Sequence, residues 1–214
     1  MDEPELDALV LADWRRRIAE LYARVRSMTD AVDAHALWRR TREELYREHP
    51  ASPVPAERRA GFRALHFDYD PSLRFVLPLE PRRAPSAPAA SHGALELPVS
   101  TGQPRRFDRL GRLDVPFAAG ARSLTLFWLA EYSGGLFLAF RDETNGHETY
   151  GGGRYLLDTG KGADLGGDAA RGTVVVDFNF AYQPSCAFDP RWSCPLAAPE
   201  NRLDLALAAG ERIA

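Results

Sequence analysis

Lysine is almost missing from this chain. Lys161 is the single lysine, and subtracting it from the 27 basic residues leaves 26 arginines. With a net charge of −3, nothing in the charge balance points to a nucleic-acid partner. The arginine skew and the many alanines fit a high-GC, actinobacterial-like composition, so no function is built on them. Cysteine is scarce too: Cys186 and Cys194 are too few for a disulfide scaffold. No apolar run reaches the roughly 18 residues of a membrane-spanning helix, so no membrane partner is expected. The opening MDEPELDALV is acidic and lacks a basic segment ahead of an apolar stretch. No secretory signal is therefore expected, the expected location is cytoplasmic, and the thiols would be kept reduced. No stretch of about 20 to 50 residues recurs, which sets repeat architectures aside.

Several chemistries are missing by motif. The phosphate loop G-x-x-x-x-G-K-[ST] fails: Lys161 follows Gly160, but Tyr155 stands at the first glycine position and Gly162 replaces the hydroxyl residue. Gly151-Gly152-Gly153 is not G-x-G-x-x-G and opens no helix. There is no G-x-S-x-G elbow and no H-E-x-x-H, only a bare His147-Glu148. What remains is 214 residues, 45% of them hydrophobic, which is enough to bury a core without staples.

The chain opens with helical periodicity. Val10, Trp14, Ile18, Leu21 and Val25 make one stripe within residues 5–27. Thr29 or Asp30 can cap a second helix, whose stripe is Leu37, Trp38, Thr41 and Leu45, ending at His49-Pro50. Residues 1–49 thus read as a helical hairpin appendage, docked on a sheet or pairing two copies of the chain as a homodimer through Trp14 and Trp38. His35 reads as a packed or solvated histidine. Residues 50–61 hold three prolines and read as a surface linker.

From residue 62 to 214 the period is two. Strands are expected around Leu65–Tyr69, Leu73–Leu79, Leu95–Val99, Phe107–Phe117, Leu124–Glu131, Leu136–Phe140, Tyr155–Leu157, Thr173–Tyr182 and Leu203–Leu207. Pro78 marks an edge strand, and Gly111 a break. Residues 81–93, PRRAPSAPAASHG, read as a mobile low-complexity loop, with no role for His92. Roughly nine or ten strands and two N-terminal helices predict a mainly β protein, an antiparallel β-barrel or sandwich.

The unusual polar residues crowd between Leu136 and Leu207. Asn145-Gly146 is a hairpin signal, which would put Glu148 and Tyr150 on a return strand before the three glycines and Arg154. In TVVVDFNFAY, alternation puts Asp177 and Asn179 on one face, about 6.6 Å apart, and Tyr182 on the other. Those two either face solvent, tie down the Pro-rich segment that follows, or line a pocket.

Phe140-Arg-Asp-Glu-Thr, Thr149-Tyr-Gly-Gly-Gly-Arg-Tyr-Leu, Asp177-Phe-Asn-Phe-Ala-Tyr-Gln-Pro-Ser-Cys-Ala, Cys194-Pro-Leu and Pro199-Glu-Asn-Arg-Leu are long and specific. Through them the chain, from about Phe62 onward, resembles the domain-of-unknown-function family 1684, bacterial and archaeal proteins of about two hundred residues. Gln183 departs from the asparagine more usual there before proline. The resemblance implies neither a reaction nor a cofactor, and the cofactor stays unknown.

Three functions follow from the residues. In the first, a small anionic ligand binds a pocket lined by Arg154, Tyr150, Asn179 and Tyr182, with Asp142 and Asp177 beside it; Arg154 would supply a fork of donors. In the second, a hydrolase uses Asp142 or Asp177 as general base, with His147 or Tyr150 as acid. In the third, the motif is structural, Arg154 being paired with a buried aspartate, and the helices carry the function. Cys186 and Cys194, seven residues between them, read as packed thiols, a disulfide or redox pair, or metal ligands. His66 and Asp68 share a strand face, but two ligands are not a metal site, so no metal is assigned.

Overall fold

The computed structural model describes residues 8–81, 94–130 and 134–213. Two antiparallel helices come first, α1 (Ala8–Ser27) and α2 (Ala31–Glu48). Asp30 caps α2 by accepting the Asp33 backbone N–H, and α2 stops at His49, before Pro50. A short α3 (Ala56–Arg59) follows. The strands are β1 (Leu65–His66), β2 (Arg74–Pro78), β3 (Glu80–Pro81), β4 (Ala94–Leu97), β5 (Arg105–Phe117), β6 (Gly120–Leu129), β7 (Leu136–Phe140), β8 (Arg154–Asp158), β9 (Gly167–Asp168), β10 (Thr173–Asp177) and β11 (Glu211–Arg212).

These strands do not close. They form a six-stranded sheet β3-β5-β6-β7-β8 with β4 also on β5, a three-stranded sheet β2-β10-β9, and the pair β1-β11. The expected antiparallel barrel or sandwich is therefore corrected to three open antiparallel sheets with helices packed among them. The physical reason lies in the strand ends. β10 ends at Asp177, where the chain coils into a 3-10 turn, Phe178–Phe180. The Leu203–Leu207 stretch, expected as a closing strand, only touches β7's end through Leu203 N–H to Arg141 O (2.8 Å) and Glu143 N–H to Leu205 O (3.0 Å). Pro78 does sit in an edge strand, β2, and β5 shifts register between Arg109 and Gly111.

One core joins helices and sheets. Ile18, Leu21, Tyr22, Val25, Trp38 and Leu45 pack in the same cluster as Leu113, Leu124, Leu138, Leu156, Val176 and Phe178. Trp38 is fully buried and Trp14 stacks on Tyr46 at 5.9 Å, so Trp38 has no surface left for a second copy. Residues 50–61 are no loose linker: Ala51, Ser52 and Val54 are buried. A second cluster, Leu97, Phe107, Phe127, Phe137, Ala139, Tyr155 and Ala198, fills the other face of the large sheet. Of the stretch 81–93, residues 82–93 and with them His92 lie outside the described residues. No helix among the described residues is long and apolar enough to cross a membrane.

Candidate functional site

The residues singled out in the sequence are brought into four places, not one pocket. The first is built by the connection between β7 and β8. Asn145-Gly146 is not a two-residue hairpin turn here. Asp142 accepts the Thr144 N–H (2.7 Å) and hydroxyl, Asn145 Oδ1 accepts the Asp142 N–H (2.8 Å), and a knot of turns spans 142–150. Glu148 and Tyr150 therefore stand on no return strand, and His147 is exposed on the knot. Gly153 is required: its φ is +98°, and a Cβ there would lie 2.5 Å from Phe140 O. That close approach turns Arg154 inward. Its guanidinium is wholly buried, ion-paired with Asp142, bonded to Ala209 O and Leu207 O, and seated 5.1 Å over the Phe140 ring. These bonds go to the protein itself, as in the structural alternative.

The second place lies at the end of β10. Asp177 Oδ1 accepts the N–H (3.0 Å) and the side-chain amide (2.8 Å) of Asn179. Asn179 also receives the Asp70 N–H and donates to Asp70 O, both at 2.8 Å. The amide thus ties the 70 segment to the chain's 3-10 turn, and its donors are used. His35 Nε2 lies 3.0 Å from Asn179 O. Burial pushes the Asp177 carboxyl up to about 6, with Asn179 and Arg74 (3.7 Å away) opposing. Asp142 and Asp177 share no partner, and Phe178 packs against Phe140 at 5.3 Å. The paired-aspartate arrangement of the hydrolase reading is not formed.

Tyr182 belongs to a third place. Arg42 lies within 5.0 Å of Trp38, 4.9 Å of Tyr46 and 4.6 Å of Tyr182, and donates to Glu211 at 2.8 Å. His66 Nε2, 4.0 Å from Glu211, is buried without a hydrogen-bond partner, while Asp68 is exposed. Among the described residues no three His, Cys, Asp or Glu side chains are arranged to hold a metal ion. Tyr150 points elsewhere again, its hydroxyl donating to Cys186 Sγ at 3.7 Å. Cys186 and Cys194 are both free and buried.

A cleft none of these residues lines is the better candidate. Its volume is about 260 Å³, at the end of the large sheet against α1. Register places Phe107 opposite Leu129 and Phe127 opposite Phe137. Phe107 and Phe137, ring centroids 4.9 Å apart, form its buried floor with Leu129 and Leu136. Arg15 from α1, Arg105 from β5 and Lys161 line it with one carboxylate among the described residues, Asp158, which lies 3.5 Å from Lys161 Nζ. Gly135 lets the walls meet: a Cβ there would sit 2.6 Å from Gly160 N. Neither Arg15 nor Lys161 was singled out as a site by sequence. The signal available was Lys161 itself, the lone lysine beside Gly160; Arg15 is hidden among three consecutive arginines.

The chain belongs to a family described as "Protein of unknown function (DUF1684)", whose model matches residues 60–212. A solved relative is an uncharacterized protein of Haloarcula marismortui, determined by solution NMR. It is 33% identical, with a TM-score of 0.57, over 82% of this chain and 90% of that one. No curated protein matches the chain.

Proposed function

We propose that this family member binds a small organic anion in the cleft between α1 and the end of the large sheet. The observation that carries the reading is the pairing of a buried two-phenylalanine floor with a rim on which Arg15, Arg105 and Lys161 outnumber Asp158, the one carboxylate among the described lining residues. An apolar floor rewards a ring or short hydrocarbon, and the cationic rim selects a carboxylate or phosphate at its edge. The volume, about 260 Å³, lies just below the roughly 300–1,000 Å³ of drug-sized pockets, which suits a compact ligand. The larger groove between α1 and α2 fits less well. It sets Glu20, Glu44 and Glu48 among Arg17 and Arg24, so its charges offset each other.

Phenyl phosphate and inorganic phosphate test it by thermal unfolding. Phenyl phosphate raises the melting temperature by a few degrees, at about 2–4 °C per kcal/mol of binding for a chain of this size, and phosphate by less. The Arg15→Ala/Lys161→Ala double variant loses the response. No shift with either anion, or a double variant that responds like the parent, overturns the reading.

A further inference from the structure

Cys186 and Cys194 hold the two ends of one loop together. Cys186 lies in the 3-10 turn Ser185–Ala187, and its backbone N–H donates to Cys194 Sγ at 3.3 Å. The loop between them closes on itself through Phe188 N–H to Ser185 O (3.0 Å) and Trp192 N–H to Asp189 O (3.2 Å). No strand lies between the two cysteines along the chain, so the loop that a disulfide would close is made of turns. The polar groups facing them come from separate parts of the chain. Tyr150, from the β7–β8 knot, donates its hydroxyl to Cys186 Sγ at 3.7 Å. Ser100 Oγ accepts the Cys194 N–H at 3.0 Å and donates to Trp192 O at 2.8 Å.

We propose that Cys186 and Cys194 form a reversible dithiol that a hydroperoxide oxidises to an intramolecular disulfide. The two thiols have different tasks. The Cys194 thiol and the Tyr150 hydroxyl outweigh burial at Cys186 and bring its thiol down to about 6, which favours the thiolate nucleophile. Cys194 is pushed up by its bond to Cys186 and by burial, and keeps its proton. Tyr150, pushed up to about 12 by burial, stays a hydroxyl donor. Both cysteines are under a tenth exposed, which hinders attack by bulky disulfides.

In the first step the Cys186 thiolate attacks one peroxide oxygen. The O–O bond breaks, a sulfenic acid forms, and the departing oxygen takes a proton from water. Cys194 then attacks the Cys186 sulfur. The S–O bond breaks as S–S forms, and the Cys194 proton leaves with the hydroxide as water. With hydrogen peroxide, two thiols and one peroxide become one disulfide and two waters. Two electrons pass from sulfur to oxygen, and a small dithiol reverses the change by exchange.

The full chain is treated with a small excess of hydrogen peroxide, and its peptides are mapped by mass spectrometry. The expected product is a Cys186–Cys194 cross-linked pair, lighter by two hydrogens and restored by dithiothreitol. In Cys194→Ser the sulfenic acid is trapped on Cys186 by dimedone, with a rate that rises with pH as the thiolate forms. Thermal unfolding shows that this variant is folded. Two intact thiols, separate over-oxidation of each, or a trapped sulfenic acid on Cys194 of Cys186→Ser but not on Cys186 of Cys194→Ser overturns the proposal.

Discussion

At the scale of single residues, burial decides what the polar groups do. Arg154 is the plainest case. In the sequence it follows three glycines and resembles an anion fork; in the fold it is fully buried, with Asp142, Ala209 O and Leu207 O around it. Removing one partner of a buried pair leaves the other charge uncompensated, which costs about 3–5 kcal/mol. Arg154→Ala is therefore expected to lower the stability in urea by about that amount. A variant as stable as the parent would return Arg154 to the role of a ligand-binding residue. Asn179 tells the same story with a neutral group: its amide oxygen accepts from Asp70 and its amide nitrogen donates to Asp70 and Asp177.

At the scale of elements, the helical hairpin is part of the protein's core. Tyr22 and Trp38 are completely buried, and the Trp38 indole N–H donates to the Tyr22 hydroxyl at 3.1 Å. Arg42 of α2 pairs with Glu211 of β11, near opposite ends of the chain. The sheets alone would expose Leu138, Leu156, Val176 and Phe178 on the side these helices cover. A fragment comprising residues 60–214 is expected to lack a cooperative thermal transition and to bind a hydrophobic dye. A sharp transition near that of the full chain would show that the β region folds without the helices.

At the scale of the whole molecule, buried histidines set the response to acid. Burial first, and then the charges of His66 and Arg39, hold His35 down near 4. Burial, followed by Arg39 and Arg42, holds His66 near 3, with the Ala64 carbonyl and Glu43 opposing. Both values lie below the roughly 6.5 of an unfolded histidine, so the unfolded chain binds more protons in acid. Their contribution is complete above pH about 6.5 and is lost as pH falls toward 4 and 3. Asp177 runs the other way: with its carboxyl at about 6 against 3.8, it favours folding increasingly as pH falls between those values. Two histidines outweigh one aspartate, so stability should fall by a few kcal/mol between pH about 6.5 and 4. The urea midpoint measured across that range checks this, and His66→Gln should flatten the decline. A midpoint that holds or rises on acidification would show that the histidines are not buried neutral.

Local chemistry by itself determined the local structure. The 3.6 period, the Asp30 cap and Pro50 place both helices, and alternation with Gly and Pro punctuation places β2 and β4 to β7 to within a few residues. The long motifs also place the chain in its family. Where alternation misled, a side-chain bond competed with the ladder: Asp177 bonds to the Asn179 N–H and ends β10, and Asp142 bonds to Thr144 and replaces a simple hairpin. Only tertiary structure decided how the strands group into three open sheets, because pairing depends on contacts between distant segments such as Leu65 with Arg212. It also decided which cations remain at a surface. Arg154 and Arg42 pair with buried carboxylates, while Arg15, Arg105 and Lys161, from three separate segments, line one cleft with Phe107 and Phe137. Their spacing along the chain carries no sign of that arrangement, because the sheet register and the docking of α1 create it.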